Sequence, residues 1–147
     1  MRVLAFMQNL WARDPERVRV LTERHGERYR RKLITYALFA GCASGRNLKT
    51  TFGKELCRRV TWEEASREVT GMPGARPPAD PAHIAATLKE HAPDVVICFG
   101  RIAGDAVAPL WQGNLILAPH PTARQPDTFA KLREAARALE LTLTNGR

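Results

Sequence analysis

The chain has 147 residues, of which 44% are hydrophobic and 26% are charged, an ordinary globular composition that excludes a disordered or fibrous protein. The formal charge is +8 and it is unevenly spread: residues 1–60 carry 14 basic and 5 acidic side chains, whereas residues 61–147 carry 9 and 10. This asymmetry predicts an anionic partner, with nucleic acid first, an anionic membrane surface second, and a solvated basic face without a partner as the plain alternative.

Length and residue spacing exclude several further classes. We expect a single domain over residues 1–147, since two independent cores would each fall near the lower limit of domain size. No run of about 18 apolar residues is present, so no membrane span is predicted, and the first residues lack a clear cleavage site, so we expect a cytoplasmic protein. The three cysteines and four histidines lack metal-ligand spacing, and no metal site is therefore expected.

Apolar runs and turn signals predict strands and helices in alternation. The predicted strands lie at residues 3–8, 94–100 and 114–118. The first predicted helix runs from Asp14-Pro15 to about Lys32, with an interruption at Gly26. A second opens at Ser44, with apolar residues at four-residue spacing: Leu48, Phe52, Leu56 and Val60. Three more are predicted from Asp80-Pro81 to about His91, from Arg101 to about Leu110, and from Thr128 to about Leu141. Residues 33–41 fit either a strand or a buried helix, and residues 71–81 are predicted to form a loop.

The order strand, helix, strand, helix in the second half predicts parallel strands joined by crossovers. We therefore predict an α/β fold, a three-layer α/β/α sandwich with a short, mostly parallel central sheet. Ligands of such sheets bind beyond the carboxyl ends of the strands. Three loops meet that description, at residues 8–13, 100–104 and 119–125.

Two of these loops carry polar residues that a packed core does not require. Gln8-Asn9-Leu10-Trp11 follows the first predicted strand, and His120-Pro121-Thr122-Ala123-Arg124 follows the last. His120 lies between two prolines, so its backbone has little freedom, which suits a side chain that must be held in place. With Ala37-Leu38-Phe39-Ala40 between them, these segments resemble, in order and placement, the motifs of the uracil-DNA glycosylase superfamily.

The resemblance implies a role for each motif residue. Asn9 would position the attacking water and His120 would stabilise the departing base, with Phe39, Gln8 and Trp11 binding the flipped base. Arg124 would fill the gap that the base leaves in the duplex. The residues implied to contact DNA are Ser44, Arg46, Lys49, Thr122 and Arg124. The basic cluster within residues 24–32 would add affinity that is independent of base sequence.

The implied function is hydrolysis of the N-glycosidic bond of uracil or a related modified pyrimidine in DNA by a monomeric enzyme without a cofactor. The sequence departs from the usual motifs, with Met7 in place of a glycine, Leu10 in place of a proline, and no asparagine in residues 61–66. Two alternatives stay open. One is a nucleic-acid-binding protein of the same fold without catalysis, and the other is an enzyme that acts on free or hypermodified nucleotides.

Overall fold

A computed structural model describes residues 1–72 and 74–146 of the chain. Its centre is a four-stranded, fully parallel sheet in the order β3-β1-β5-β6. The strands are β1 (Val3–Met7), β3 (Val60–Glu64), β5 (Val95–Phe99) and β6 (Asn114–Ala118). A separate two-stranded parallel ribbon consists of β2 (Leu10–Trp11) and β4 (Val69–Thr70).

Helices cover both faces of the sheet, as the α/β/α prediction required. The helices are α1 (Pro15–His25), α2 (Glu27–Phe39), α3 (Ala43–Phe52), α4 (Lys54–Arg58), α5 (Pro81–His91), α6 (Arg101–Val107) and α7 (Thr128–Asn145), with a 3-10 turn at Ala108–Leu110. Helices α2, α3, α4 and α7 pack on one face, and α5 and α6 pack on the other. The residues of β1 and β5 are all buried, because these two central strands have apolar layers on both sides.

The predicted helix starts at the two Asp-Pro pairs are confirmed. The side chain of Asp14 accepts a hydrogen bond from the Arg17 amide at 3.1 Å, and that of Asp80 accepts one from the His83 amide at 3.1 Å. In both helices proline occupies the first turn, where its missing N–H costs no hydrogen bond. Each cap therefore fixes where the chain turns from a loop into a helix.

Other boundaries differ from the predictions. The ambiguous stretch 33–41 is helical as far as Phe39, since α2 presents Ile34 and Leu38 to the sheet at helical spacing. The long helical pattern that opens at Ser44 breaks at Gly53, whose φ of +81° favours glycine, and ends before Val60, which belongs to a strand.

Strand β3 was not predicted, and its environment shows why. It is an edge strand, and its last residues are Glu63 and Glu64, which are buried. Arg31 bonds to Glu90 at 3.0 Å and lies 3.8 Å from Glu63, whose carboxylate also contacts the His91 Nε2 at 3.3 Å. These contacts compensate the burial of Glu63 and cover the edge of the sheet.

Part of the predicted basic cluster points inward. Arg30 is buried and donates to the Arg67 carbonyl at 3.2 Å, and Arg31 belongs to the ion pairs beside β3. Arg24, Arg28 and Lys32 remain exposed. Within the described residues, none of the helices is both long enough and apolar enough to cross a membrane.

Candidate functional site

The loops that follow β1, β5 and β6 lie side by side, because these three strands are neighbours in the sheet. Met7 ends β1, and the Gln8 carbonyl extends the ladder with β3 by accepting from the Ser66 amide at 3.0 Å. At the end of β5, the Gly100 amide donates to the Ala118 carbonyl at 2.9 Å. The three predicted loops therefore meet at one carboxyl edge, the usual place for a ligand in a parallel sheet.

His120 is held by its own loop. Its Nδ1 accepts a hydrogen bond from the Thr122 amide at 3.2 Å and lies 2.9 Å from the Thr122 hydroxyl. An amide nitrogen can only donate, so Nδ1 carries no proton and the proton of the neutral ring lies on Nε2. The ring therefore presents an Nε2–H donor away from Thr122.

The surroundings of His120 favour the neutral ring. Burial lowers the pKa of His120, and the positive charge of Arg76 lowers it further. Gly100 adopts a φ of +92°, and a Cβ on it would lie 3.4 Å from the Cβ of His120. A side chain at position 100 would thus strain the backbone, while its Cβ would make ordinary van der Waals contact with His120.

A hydrogen bond from α3 braces the His120 loop. The side-chain Nδ2 of Asn47 donates to the Pro121 carbonyl at 2.8 Å. On the far side, the Thr128 hydroxyl donates to the Ala123 carbonyl at 3.0 Å. Asn47 was not identified from the sequence, where it stands as one polar residue in a helical pattern without any motif signal.

Asn9 is held by the small ribbon. Its Nδ2 donates to the Thr70 hydroxyl at 3.1 Å and to the Leu10 carbonyl at 3.2 Å. The amide nitrogen is thereby turned toward β4, and the Oδ1 of the same amide points away from that contact. Among the described residues no hydrogen bond joins Asn9 to His120.

The remaining residues implied to bind the base have different surroundings. Gln8 is half-buried, and its Nε2 has no hydrogen-bond partner within the described parts of the chain. Trp11 lies on the ribbon and is 47% exposed. Phe39 packs edge-to-face on Trp62 at 5.3 Å and lines a groove of about 510 Å³ between α2, α4 and β3.

Three residues implied to grip phosphate bond to the protein or are covered by it. Ser44 is buried. The Arg46 Nη1 donates to the Gly41 carbonyl at 2.5 Å, and the Lys49 Nζ donates to the Phe39 carbonyl at 3.1 Å. Lys49 thus satisfies a carbonyl at the end of α2, where a helix leaves such groups without partners, and Arg46 bonds to the loop between α2 and α3. The geometry therefore gives Lys49 a helix-capping role, and both Arg46 and Lys49 are exposed.

Four other arginines that follow strands are also exposed. They lie in the segments that follow β2, β4, β5 and β6: Arg13, Arg76, Arg101 and Arg124. None of the four forms an ion pair with another described residue, in contrast to Arg19, which pairs with Glu16 and Glu23. Three of them, Arg13, Arg76 and Arg101, were not identified from the sequence. The densest run of basic residues was predicted to add DNA affinity, and these single arginines that follow strands were overlooked.

A buried carboxyl group lies at the end of the neighbouring strand β3. Glu64 is 5% exposed, and its Oε2 has no hydrogen-bond partner among the residues described. Burial raises the pKa of Glu64 to about 8, against a smaller opposing effect of Arg30. The group is therefore largely protonated at neutral pH.

The described residues contain no group of three or more His, Cys, Asp or Glu side chains placed to hold a metal ion. Comparison of the chain with family models, with curated proteins and with solved structures gave no match. The features of the chain that bear on its function are therefore the geometry of the carboxyl edge and the motifs found there.

Proposed function

We propose that the chain is a DNA glycosylase that hydrolyses the N-glycosidic bond of uracil, or of a related modified pyrimidine, flipped out of DNA. The observation that carries this proposal is the His120 side chain, held by Thr122 as a neutral ring with its Nε2–H free to donate. The motif resemblance supports the same conclusion, since His120 and Asn9 follow strands at the same edge of the sheet.

The chemistry calls for a donor of this kind. Cleavage of the bond between the sugar carbon and the base nitrogen leaves negative charge on the base oxygens, and a fixed donor at one oxygen stabilises that charge. A neutral imidazole suits this role, because the lowered pKa of His120 disfavours a second proton, and the Thr122 contact fixes the remaining proton on Nε2. His120 thus stabilises the leaving base without transferring a proton.

Asn9 supplies the second element of the mechanism. Its Oδ1 accepts a hydrogen bond from a water molecule and directs the water oxygen toward the sugar carbon. The water oxygen forms the new bond to carbon as the bond to the base nitrogen breaks. An amide cannot take the proton of the attacking water, which passes to solvent after the sugar has become cationic.

DNA is the polymer that the surface charge fits. Four exposed arginines, Arg13, Arg76, Arg101 and Arg124, follow strands, and Arg76 is close enough to His120 to lower its pKa. Contacts from such side chains to phosphate position a strand without reading its sequence. We therefore place DNA across the carboxyl edge, and we expect a monomer that acts in the cytoplasm, where bacterial and phage DNA is accessible.

The test is alkali-induced strand scission of single- and double-stranded oligonucleotides that contain uracil. We expect alkali-labile product from the wild-type protein, a loss of about two orders of magnitude in His120→Ala, and a comparable loss in Asn9→Ala. His25→Ala removes an exposed histidine on α1 and serves as the matched control. Wild-type protein that retains the oligonucleotide but yields no product contradicts hydrolysis of uracil.

A second candidate is a nucleic-acid-binding protein of the same fold without catalysis. The hydrogen bonds from Asn9 to Thr70 and to the Leu10 carbonyl favour it, because they give Asn9 a purely structural role. This candidate predicts salt-sensitive DNA binding that His120→Ala leaves unchanged. Turnover of a free nucleotide, with little affinity for oligonucleotides, would instead favour the nucleotide-directed enzyme.

A further inference from the structure

The β2–β4 ribbon projects two large apolar side chains into solvent. Trp11 is 47% exposed and Met72, two residues after β4, is 73% exposed. Leu10 is buried in the core and anchors the ribbon, and successive strand residues face opposite sides, so Trp11 is turned outward. The ribbon thus leaves in contact with solvent an aromatic ring that packing against the core would otherwise have covered.

The position of Trp11 is fixed relative to the candidate site. Trp11 is paired with Thr70 in the ribbon, and the Ala12 amide donates to the Thr70 carbonyl at 2.9 Å. The side chain of Thr70 also accepts the hydrogen bond from Asn9. Trp11 and Asn9 are therefore held by the same residue, one on each side of Leu10.

Charge on the ribbon distinguishes between possible occupants. Arg13 follows Trp11 by two residues, and Arg76 lies near enough to His120 to lower its pKa. Both arginines are exposed, and within the described parts of the chain neither has an acidic partner. An exposed indole flanked by free cations is the combination that binds nucleic-acid strands, because bases stack on the ring while phosphates contact the cations.

We infer that Trp11, supported by Met72, is a stacking platform for an unpaired base next to the one that enters the His120 site. Trp11 would thus contact the neighbouring nucleotide of the strand and leave the excised base to other residues. This inference rests on the proposed function for its ligand, nucleic acid, and is independent of whether any bond is hydrolysed. The platform holds the strand in register while the adjacent base turns into the site.

Binding without a scissile base tests the inference. The probe is a fluorescein-labelled ten-nucleotide oligodeoxythymidylate, measured by fluorescence polarisation at low salt. Trp11→Ala is expected to raise the Kd about tenfold, and Trp11→Phe is expected to stay within about threefold of wild type, since a smaller ring still stacks. Tyr36→Ala, which removes another exposed aromatic ring, 72% exposed on α2, is the matched control and is expected to bind as wild type.

Intrinsic fluorescence gives a second measurement that does not depend on the alanine variant. Trp62 is buried and Trp111 is half-buried, so Trp11 is the tryptophan most open to quenching by an added base. Unlabelled oligodeoxythymidylate should quench wild-type fluorescence, and Trp11→Phe should lose most of that quenching. Thermal unfolding of each variant checks that the ribbon change leaves the fold intact.

Two results overturn the inference. One is an unchanged Kd in Trp11→Ala together with unchanged quenching in Trp11→Phe. The other is an equal loss of affinity in Trp11→Ala for inorganic polyphosphate, which has charge but no bases. Absence of uracil excision bears only on the proposed function, because the thymidylate probe is not a substrate in these measurements.

Discussion

His120 is the residue at which protonation and function are coupled. Its Nδ1 has to remain unprotonated to accept from Thr122, and both burial and Arg76 lower its pKa. Because protonation is disfavoured in the folded protein, His120 contributes stability above its ordinary pKa of about 6.5, and this contribution is lost as the pH falls below that value. The same protonation would break the Thr122 contact and misplace the donor.

We predict that the imidazole signals of His120, followed by NMR, titrate below the ordinary range in the wild type. Arg76→Ala should raise that pKa, while the part caused by burial stays. Arg137→Ala, which removes an exposed arginine on α7, should leave it unchanged. The excision rate should be constant above neutral pH and should decrease as acid protonates the ring. A titration of His120 that is identical in Arg76→Ala would contradict this account.

Asn47 is the residue that positions the His120 loop. Loss of its hydrogen bond to the Pro121 carbonyl removes about 1 kcal/mol from the ordered loop. Asn47→Ala should therefore decrease the excision rate about fivefold, and Asn47→Asp, which cannot donate, should do the same. Thr50→Ala, on the exposed side of the same helix, should retain the wild-type rate. Equal rates in all four proteins would mean that the loop needs no brace.

Among the secondary-structure elements, the edge strand β3 is unusual because the fold buries a carboxyl group at its end and favours the protonated form of that group. The carboxyl group of Glu64 is buried at the end of the strand, and its pKa is raised to about 8. Folding thus favours the protonated form, and the resulting stability is greatest in acid. That stability is complete only below the ordinary Glu pKa of about 4.3, and it decreases from there as the pH rises through 8.

The melting temperature of the wild type should consequently be lower at pH 8 than at pH 6. Glu64→Gln, which is neutral at every pH, should reduce that difference. Glu68→Gln, an exposed acid four residues further on, should keep the wild-type pH dependence. A pH dependence that persists undiminished in Glu64→Gln would show that the carboxyl is ionised at little cost in the folded protein.

The elements also show how far sequence reasoning extends. The apolar runs of β1, β5 and β6 and the Asp-Pro helix starts were predicted, because burial and capping act locally. Strand β3 and the partners of several cations were not predicted. Glu63 is buried because Arg31 and His91 reach it from other elements, and Lys49 caps a helix ten residues before it. Such pairings depend on tertiary proximity, which spacing along the chain does not reveal.

The residues of the candidate site also differ in whether the sequence could reveal them. Asn9 and His120 were identified because each directly follows a strand, and the parallel sheet brings those strand ends to one edge. Thr70 and Asn47, which hold the two loops, come from distant segments without a motif. The residues proposed to act on a ligand thus left a signal in sequence, while the residues that orient them were found only in the structure.

For the molecule as a whole, the net charge says less about a polyanionic partner than the positions of the unpaired charged side chains do. Arg19 is exposed but satisfied by Glu16 and Glu23 on the same helix, and its contribution to DNA binding should be small. The four exposed arginines that follow strands have no such partners among the described residues. The proposed path of DNA runs along these four arginines.

We predict that the logarithm of DNA affinity decreases linearly with the logarithm of salt concentration. Each alanine substitution at Arg13, Arg76, Arg101 or Arg124 should reduce the slope by about 0.7–0.9, the value for one phosphate contact on single- or double-stranded DNA. Arg19→Ala should leave the slope unchanged. Affinity titrations from low to physiological salt measure this, and a slope that responds to Arg19 but not to the four would move the DNA to another face.

The strand order β3-β1-β5-β6 has a further consequence, for how the protein is made. Strand β1 lies at the centre of the sheet, yet its partners begin only at Val60 and Val95. During synthesis β1 must therefore wait, apolar and unpaired, until most of the chain has left the ribosome. Mutations that slow the docking of β5 would lengthen that exposure, and they would appear first as lower yield and aggregation, before any change in the folded protein.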